Sequence, residues 1–140
     1  MNKGMSMIEM LVVLVIMSMT ILAGAVYFQG LEPKYRLRTA TWEVSSRLTQ
    51  ARFRAFLDGA PVRLKFVLNH YNLEEWDEEL KSWRIKDRAI LQGVSLVSNN
   101  NPVFYPEGTV SNLATIIVSN SRGSYKITLA ITGRVKVTRL

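Results

Sequence analysis

The sequence predicts an α+β fold in which one long N-terminal helix packs on a small antiparallel β domain. Three observations predict it: an uncharged apolar run over Met10–Phe28, a following stretch with apolar residues at helical spacing, and short alternating runs after Pro61. Helical patterns followed by a succession of strands are typical of α+β domains. With 140 residues, the chain is expected to form one small domain in addition to the apolar run.

The apolar run is long enough to cross a bilayer. As a helix its 19 residues would span about 28 Å. Two ordinary interpretations are a cleaved secretory signal, with Ala23-Gly24-Ala25 as the small-residue cleavage site, and a simple single-pass anchor. Neither explains Glu9, because a carboxylate beside such a run costs free energy in hydrocarbon and is usually retained for a specific partner.

The residues from Tyr35 to Leu57 predict an amphipathic helix, since apolar and small residues recur there at intervals of three and four. Pro33 is expected to kink or interrupt the helix, because proline lacks an N–H and crowds the preceding turn. Asp58-Gly59-Ala60-Pro61 supplies the residues that end it. The predicted stripe needs a globular partner and consists of Leu37, Thr41, Val44, Leu48, Ala51 and Ala55.

The chain beyond Pro61 favours strands. Alternation over Val62–Leu68 predicts a half-buried strand, and the runs 71–76 and 80–85 predict a hairpin around an acidic turn. Further short strands are predicted at 93–97, 103–105, 115–118, 125–130 and 133–137. No linker is long enough to separate a second domain.

Composition restricts the functional classes. The net charge of +7 permits contact with nucleic acid, lipid headgroups or acidic proteins, although excess Lys and Arg also aids solubility. The absence of cysteine excludes disulfides and thiolate sites. His70 is expected in a surface turn, and the acidic residues over Glu74–Glu79 lack the spacing of a calcium loop, which favours a solvated hairpin tip. We therefore expect no enzyme, no cofactor and no metal.

The first residues carry a more specific pattern. Lys3-Gly4-Met5-Ser6-Met7-Ile8-Glu9 resembles the class III signal of type IV pilins and type II secretion pseudopilins. The resemblance implies that prepilin peptidase cleaves between Gly4 and Met5, that Met5 is N-methylated, and that Glu9 serves subunit assembly as the fifth mature residue. Met5 departs from the family's usual phenylalanine, which puts the extent of methylation in question.

Three further segments narrow the resemblance to GspH/FimT-type minor pseudopilins and minor pilins. Leu48–Ala55 is similar to that family's L-x-x-A-R-x-x-A segment, and Phe104–Thr109 to its F-x-P-x-G-x turn. Gly133-Arg134-Val135-Lys136 is similar to its closing G-R-V-[RK]. Each segment is short, and their order along nearly the whole chain makes the set specific.

The resemblance implies a domain organisation and a role. Residues 1–4 would be the leader, 5–58 the pilin helix with its transmembrane part at about 10–28, and 59–140 the globular domain. The protein would be anchored in the bacterial inner membrane with its globular domain in the periplasm, and then enter a filament. It would be a minor pseudopilin of a type II secretion pseudopilus that helps drive protein export across the outer membrane. Its partners would be other pseudopilins or pilins at the filament tip, prepilin peptidase and the inner-membrane assembly platform.

An alternative role rests on the C-terminal charges. Between Asn101 and Leu140 the only acidic residue is Glu107, whereas the basic residues are Arg122, Lys126, Arg134, Lys136 and Arg139. Alternate residues of a strand share a face, so Arg134 and Lys136 align, and we expect Arg139 and the loop of Arg122 nearby. Such cations could follow a phosphate backbone, as in a FimT-like minor pilin that binds DNA for uptake or primes pilus assembly, or they could meet acidic neighbouring subunits.

Overall fold

The fold of the chain is given by a computed structural model that describes the backbone of residues 6–140 and the side chains of residues 6–25 and 32–140. The chain divides into two compact units, of which one ends at Glu32 and the other is Pro33–Leu140.

A single helix, α1, extends over Met7–Asp58. The carbonyl of Ser6 opens it by accepting the N–H groups of Glu9 at 2.9 Å and Met10 at 3.2 Å. Pro33 lies inside α1 and does not interrupt it, although its missing N–H removes one helical hydrogen bond. After Asp58, Gly59 ends the helix in the left-handed region with φ 63°.

The first part of α1 has the length and composition of a membrane span. The segment Met7–Ala25 has 19 residues, and none of its apolar window is buried in the structure. A core helix of the same composition would be largely covered by its own chain. These side chains are therefore free to contact lipid or other helices.

The second unit contains two antiparallel sheets. Sheet A has the strand order β3-β2-β1-β5-β6, and sheet B has the order β4-β7-β8-β9. Within residues 6–140 the strands are β1 Val62–Val67, β2 His70–Asp77, β3 Ser82–Ile90, β4 Ser95–Ser98, β5 Val103–Phe104, β6 Val110–Ser111, β7 Thr115–Asn120, β8 Gly123–Leu129 and β9 Val135–Arg139. The predicted α+β class and the β2–β3 hairpin are confirmed.

Several details of the strands differ from the sequence prediction. The last strand begins at Val135 and not at Gly133, because Gly133 adopts φ 77° in the turn before it. The two-residue strand β6 was not predicted, since Val110-Ser111 is too short to show a period. His70 is the first residue of β2, directly after the turn at Leu68-Asn69, and not part of that turn.

One hydrophobic core joins α1 to both sheets. All six residues of the predicted helix stripe are buried, and Val44, Leu48, Ala51 and Ala55 have no exposed surface. Sheet A contributes Leu64 and Phe104 to this core, and sheet B contributes Ile116 and Ile127. The second half of α1 is thus an integral part of the globular unit.

Polar contacts fix how α1 sits on sheet A. The hydroxyl of Tyr71, on β2, donates to Glu43 Oε1 at 2.7 Å. One turn further along α1, Arg47 Nη1 pairs with Asp87 Oδ2 of β3 at 2.9 Å. Burial of the phenol, together with the Glu43 carboxylate, raises the pKa of Tyr71.

Replacing Tyr71 with phenylalanine removes this hydroxyl and leaves the ring in the core. We expect the free energy of unfolding at pH 7 to fall by about 0.5–1.5 kcal/mol, with unfolding of the full chain in detergent followed by circular dichroism. Because the folded pKa lies above the ordinary value of 10.0, the neutral phenol contributes its full stability below pH 10.0 and loses it as pH rises towards the folded pKa. The difference between the wild type and Tyr71→Phe should therefore shrink above pH 10.0.

Tyr35→Phe is the matched control, because the Tyr35 side chain is exposed. Equal stability of Tyr71→Phe and the wild type at pH 7 would show that the Tyr71–Glu43 bond does not stabilise the helix on the sheet.

Candidate assembly and binding surfaces

Glu9 lies in the first turn of α1 with its side chain exposed. It is the only charged residue between Ser6 and Glu32. A carboxylate in the first turn interacts favourably with the helix dipole, worth about 0.3–1 kcal/mol at a surface. That contribution is too small to explain a charge placed at the start of a segment with the length and composition of a membrane span. Gly4 and Met5, the predicted cleavage and methylation residues, lie outside the described residues.

Three of the five predicted cations meet on the outer surface of β8 and β9. Lys126 and Thr128 lie opposite Thr138 and Lys136, respectively, and directly opposed residues share a face. Arg134 precedes Lys136 by two residues and joins the same face. We use the name basic face for the set Lys126, Thr128, Arg134, Lys136 and Thr138. All five side chains of this set are exposed and line a groove of about 670 Å³.

The register separates the other two cations from the basic face. Arg139 lies opposite Tyr125, so strand alternation directs its side chain to the other side of sheet B. Arg122 lies in the two-residue turn between β7 and β8. Both are at the end of the sheet away from Arg134, which is roughly 17 Å from Arg139 along the strand. The structure therefore does not bring all five cations into one line.

A tight turn holds Arg134 in place. The N–H of Gly133 donates to the carbonyl of Ala130 at 2.8 Å, and the N–H of Ala130 donates to the carbonyl of Arg134 at 2.9 Å. Gly133 is buried under the side chain of Arg52 from α1, and a Cβ at Gly133 would lie 2.8 Å from Arg52 Cδ. Glycine is required here both for its positive φ and for this close approach.

The acidic residues of the β2–β3 hairpin have cationic partners. Arg63 Nε donates to Glu74 Oε2 at 2.8 Å, and Glu74 is only 4% exposed. Two further ion pairs cross the hairpin, Lys86 Nζ–Glu75 Oε2 at 3.2 Å and Arg84 Nη2–Asp77 Oδ2 at 2.8 Å. The expectation of a solvated acidic tip is confirmed for Glu78 and Glu79 and is wrong for Glu74, which Arg63 neutralises from the adjacent strand.

Asp77 has a structural task at the hairpin tip. Its Oδ1 accepts the N–H groups of Leu80 and Glu79, each at 3.0 Å. The Leu80 N–H, and then the Arg84 guanidinium, lowers the pKa of the Asp77 carboxyl. Its oxygens are thus occupied in closing the turn. In the part of the chain that the structure describes, no group of three acidic or histidine residues is arranged to hold a metal ion.

The cations of the basic face differ from those of the hairpin. Over residues 6–140, no carboxylate lies within 4.0 Å of the charged nitrogens of Lys126, Arg134 or Lys136. A cation that lacks an internal partner is available to an external one.

Sequence reasoning missed a second groove, on the opposite side of β9. It has a volume of about 360 Å³ and lies between α1 and the strand. We call it the helix groove. It is lined by Trp42, Ser45, Ser46, Thr49, Val135 and Val137. Trp42 is the sequence feature that could have indicated this groove, because it is a large apolar residue outside the predicted stripe. In the structure it is 72% exposed.

Comparison with known proteins finds a matching N-terminal motif and similar folds. Residues 1–25 match the model described as the prokaryotic N-terminal methylation motif. No curated protein sequence matches the chain. The chain is similar in structure to the minor pseudopilin EpsH from the type 2 secretion system of Vibrio cholerae, with 12% identity, a TM-score of 0.64, and coverage of 74% of this chain and 97% of EpsH.

A second similar structure comes from another kind of assembly. The type IV minor pilin FimU of Pseudomonas aeruginosa has 12% identity to this chain and a TM-score of 0.62, with coverage of 75% of this chain and 90% of FimU. At this identity the likeness shows the fold. The type IV pilin-like resemblance is therefore confirmed in the N-terminal motif and in the pilin-like fold.

The turn before β9 can be tested with two glycines. Gly133→Ala introduces a Cβ against Arg52 at positive φ, whereas Gly59→Ala introduces one at φ 63° with open space around it. Left-handed backbone costs about 1–2 kcal/mol for a residue with a Cβ, so Gly59→Ala measures that cost. We expect Gly133→Ala to lower the free energy of unfolding by about 1 kcal/mol more than Gly59→Ala, because overpacking adds strain.

In an Arg52→Ala background the additional loss at Gly133 should disappear. If it persists there, the contact between Arg52 and the turn is not its cause.

Proposed function

We propose that this protein is a minor pseudopilin of a type II secretion pseudopilus. Prepilin peptidase would remove residues 1–4, and Met5 would become the methylated amino terminus. The mature chain would wait in the inner membrane with the globular unit in the periplasm, and then enter the filament beside other pseudopilins. The observation that carries the proposal is the combination of the N-terminal methylation motif with an EpsH-like fold.

Glu9 supplies the chemistry of assembly in this proposal. When the apolar helices of neighbouring subunits bundle, the Glu9 carboxylate pairs with the positively charged amino terminus of another mature subunit. Separating the two charges in an apolar surrounding leaves each one uncompensated, which is far more costly than in water. The pair therefore favours one axial register between subunits over its alternatives.

The basic face contacts neighbouring subunits in the same proposal. Its cations are exposed and have no internal ion partner among the described residues. A neighbour with a complementary acidic surface would therefore gain attraction without displacing an existing pair. This contact would orient the globular units, whereas Glu9 acts between the helices.

Glu9→Ala should leave leader removal intact and prevent incorporation of the subunit into filaments. Removal of residues 1–4 is followed by mass spectrometry of the membrane-bound chain, and incorporation by immunoblotting of sheared filaments. We expect at least a tenfold loss of filament-associated protein, since about 1.4 kcal/mol already corresponds to a factor of ten.

Glu9→Asp keeps the charge and should retain part of the incorporation, whereas Glu9→Gln keeps the shape and should fail like Glu9→Ala. Normal incorporation of Glu9→Gln would contradict the charge pair and, with it, the proposed assembly mechanism.

A second candidate is a FimT-like minor pilin that binds DNA or primes pilus assembly. The observation that favours it is the basic face, where Lys126, Arg134 and Lys136 lie on adjacent strands beside a groove of about 670 Å³. Lysine at position 136 keeps the charge of the closing motif but lacks the bidentate geometry of arginine.

For this second function we expect binding of the full chain, in zwitterionic detergent, to double-stranded DNA that weakens steeply with salt. Arg134→Ala/Lys136→Ala should reduce the slope of log affinity against log salt by about 2, because each lost phosphate contact removes about 1. Fluorescence anisotropy over a salt series measures both quantities. Arg38→Ala/Lys65→Ala removes the same charge from exposed positions elsewhere and is the control. Equal slopes for the two double variants, or no binding at low salt, would rule out DNA binding by the basic face.

A further inference from the structure

The strand β9 is an open edge of sheet B. It pairs with β8 on one side, and no strand of residues 6–140 pairs with its other side. Two hydrogen bonds fix its orientation: Leu140 N–H to the Ser124 carbonyl at 3.0 Å, and Ala130 N–H to the Arg134 carbonyl at 2.9 Å. Both belong to the same register as the β8–β9 ladder.

In an antiparallel ladder, hydrogen-bonded and non-hydrogen-bonded pairs alternate. Since Arg134 and Leu140 bond to β8, the residues at 136 and 138 do so as well. The main-chain N–H and C=O groups of Val135, Val137 and Arg139 therefore point away from β8 and towards solvent. These three residues offer the donors and acceptors that an additional strand needs.

The two sides of this edge differ chemically. The basic face lies on the outer side, with Arg134 and Lys136 on β9 itself. The helix groove lies on the inner side, where the partly exposed Val137 faces Trp42 of α1. Side chains of a strand alternate between the two faces of a sheet. A strand added to β9 would place every second side chain beside the cations and the others in the helix groove.

The other edges of the two sheets are shorter or less regular than β9. The edge strands β4 and β6 have only four and two residues. The longer edge β3 carries charges that are already paired, Arg84 with Asp77 and Lys86 with Glu75. Its ladder with β2 is irregular between Leu73 and Glu74. Short edges and bulges protect against added strands, and so do edge charges, which on β9 favour only a strand that carries acidic side chains. β9 has five residues, a regular ladder and cations without a carboxylate partner in the described chain.

We propose that β9 is a docking edge for an extended segment of a neighbouring subunit in which acidic and apolar side chains alternate. The segment adds to sheet B as a further strand, with its main chain bonded to Val135, Val137 and Arg139. Its acidic side chains lie against Arg134 and Lys136, and its apolar side chains enter the helix groove beside Trp42. The assignment of the segment to a neighbouring subunit rests on the proposed function, whereas the edge itself does not.

The test uses the full chain in zwitterionic detergent and a blocked eight-residue peptide of alternating valine and glutamate. A peptide with the same composition in two blocks and an alternating valine–lysine peptide are the controls. Strand addition should slow amide hydrogen exchange at Val135, Val137 and Arg139 by at least tenfold, as measured by NMR. The amides of Lys136 and Thr138 already bond to β8 and should change little.

Two pairs of variants separate main-chain pairing from charge. Val137→Pro removes an outward N–H without removing a β8–β9 bond, so it should weaken peptide binding at least tenfold, whereas Val137→Ala should weaken it two- to threefold. Arg134→Glu/Lys136→Glu changes the charge of the basic face from +3 to −1 and should reverse the preference in favour of the valine–lysine peptide. This reversal remains decisive if Val137→Pro disturbs the fold.

Equal binding of all three peptides, absence of binding, or unchanged exchange at Val135 and Val137 would each overturn the docking edge. A further outcome is that DNA competes with the peptide. If Arg134→Glu/Lys136→Glu abolishes this competition and Val137→Pro does not change it, the surface is assigned to nucleic acid and the docking edge is overturned. The Glu9 variants report separately on filament entry. If the peptide adds to β9 as a strand and Glu9→Gln is nevertheless incorporated normally, the docking edge is supported and the proposed assembly mechanism is contradicted.

Discussion

The burial of one stripe on the second half of α1 is the constraint on which the rest of the globular unit depends. Val44 and Leu48 lose all their exposed surface only because both sheets cover the same side of the helix. Burying such side chains is worth about 1.5–3 kcal/mol each. That gain gives sheets A and B a shared core, although no strand pair joins them within residues 6–140.

Arg52 shows why three short segments of similarity, far apart in the sequence, occur together. It belongs to the helical segment Leu48–Ala55, and its side chain lies over Gly133 at the start of the closing segment. A Cβ at Gly108, in the turn of Phe104–Thr109, would lie 4.0 Å from Arg52 Nη2. The three segments therefore describe one place in the fold. Gly133 allows the arginine to approach, and the arginine links the end of α1 to the turn that starts β9.

The sequence predicted the features that depend on local periodicity and left out those that depend on register. The helix stripe and the β2–β3 hairpin follow from spacings of three to four and of two, which neighbouring residues carry themselves. The burial of Glu74 depends on Arg63 from an adjacent strand, and the side on which Arg139 lies depends on pairing with Tyr125. A shift of one residue in register would exchange the two faces, so composition alone could not place these charges.

Glu9 and the cations of the basic face lie in two different physical settings. In the proposed helix bundle Glu9 would lie in an apolar surrounding, where solvent and salt screen poorly and a lost partner leaves an uncompensated charge. Arg134 and Lys136 are exposed beside an open strand, where ions screen charges beyond about 8 Å at physiological salt. A contact at Glu9 can therefore set a register almost independently of salt, but it distinguishes subunits poorly if each one has an amino terminus to offer. A strand docked on β9, as proposed, would add main-chain geometry and side-chain alternation to a weaker charge attraction, and these two features would supply the selectivity that a single charge pair lacks.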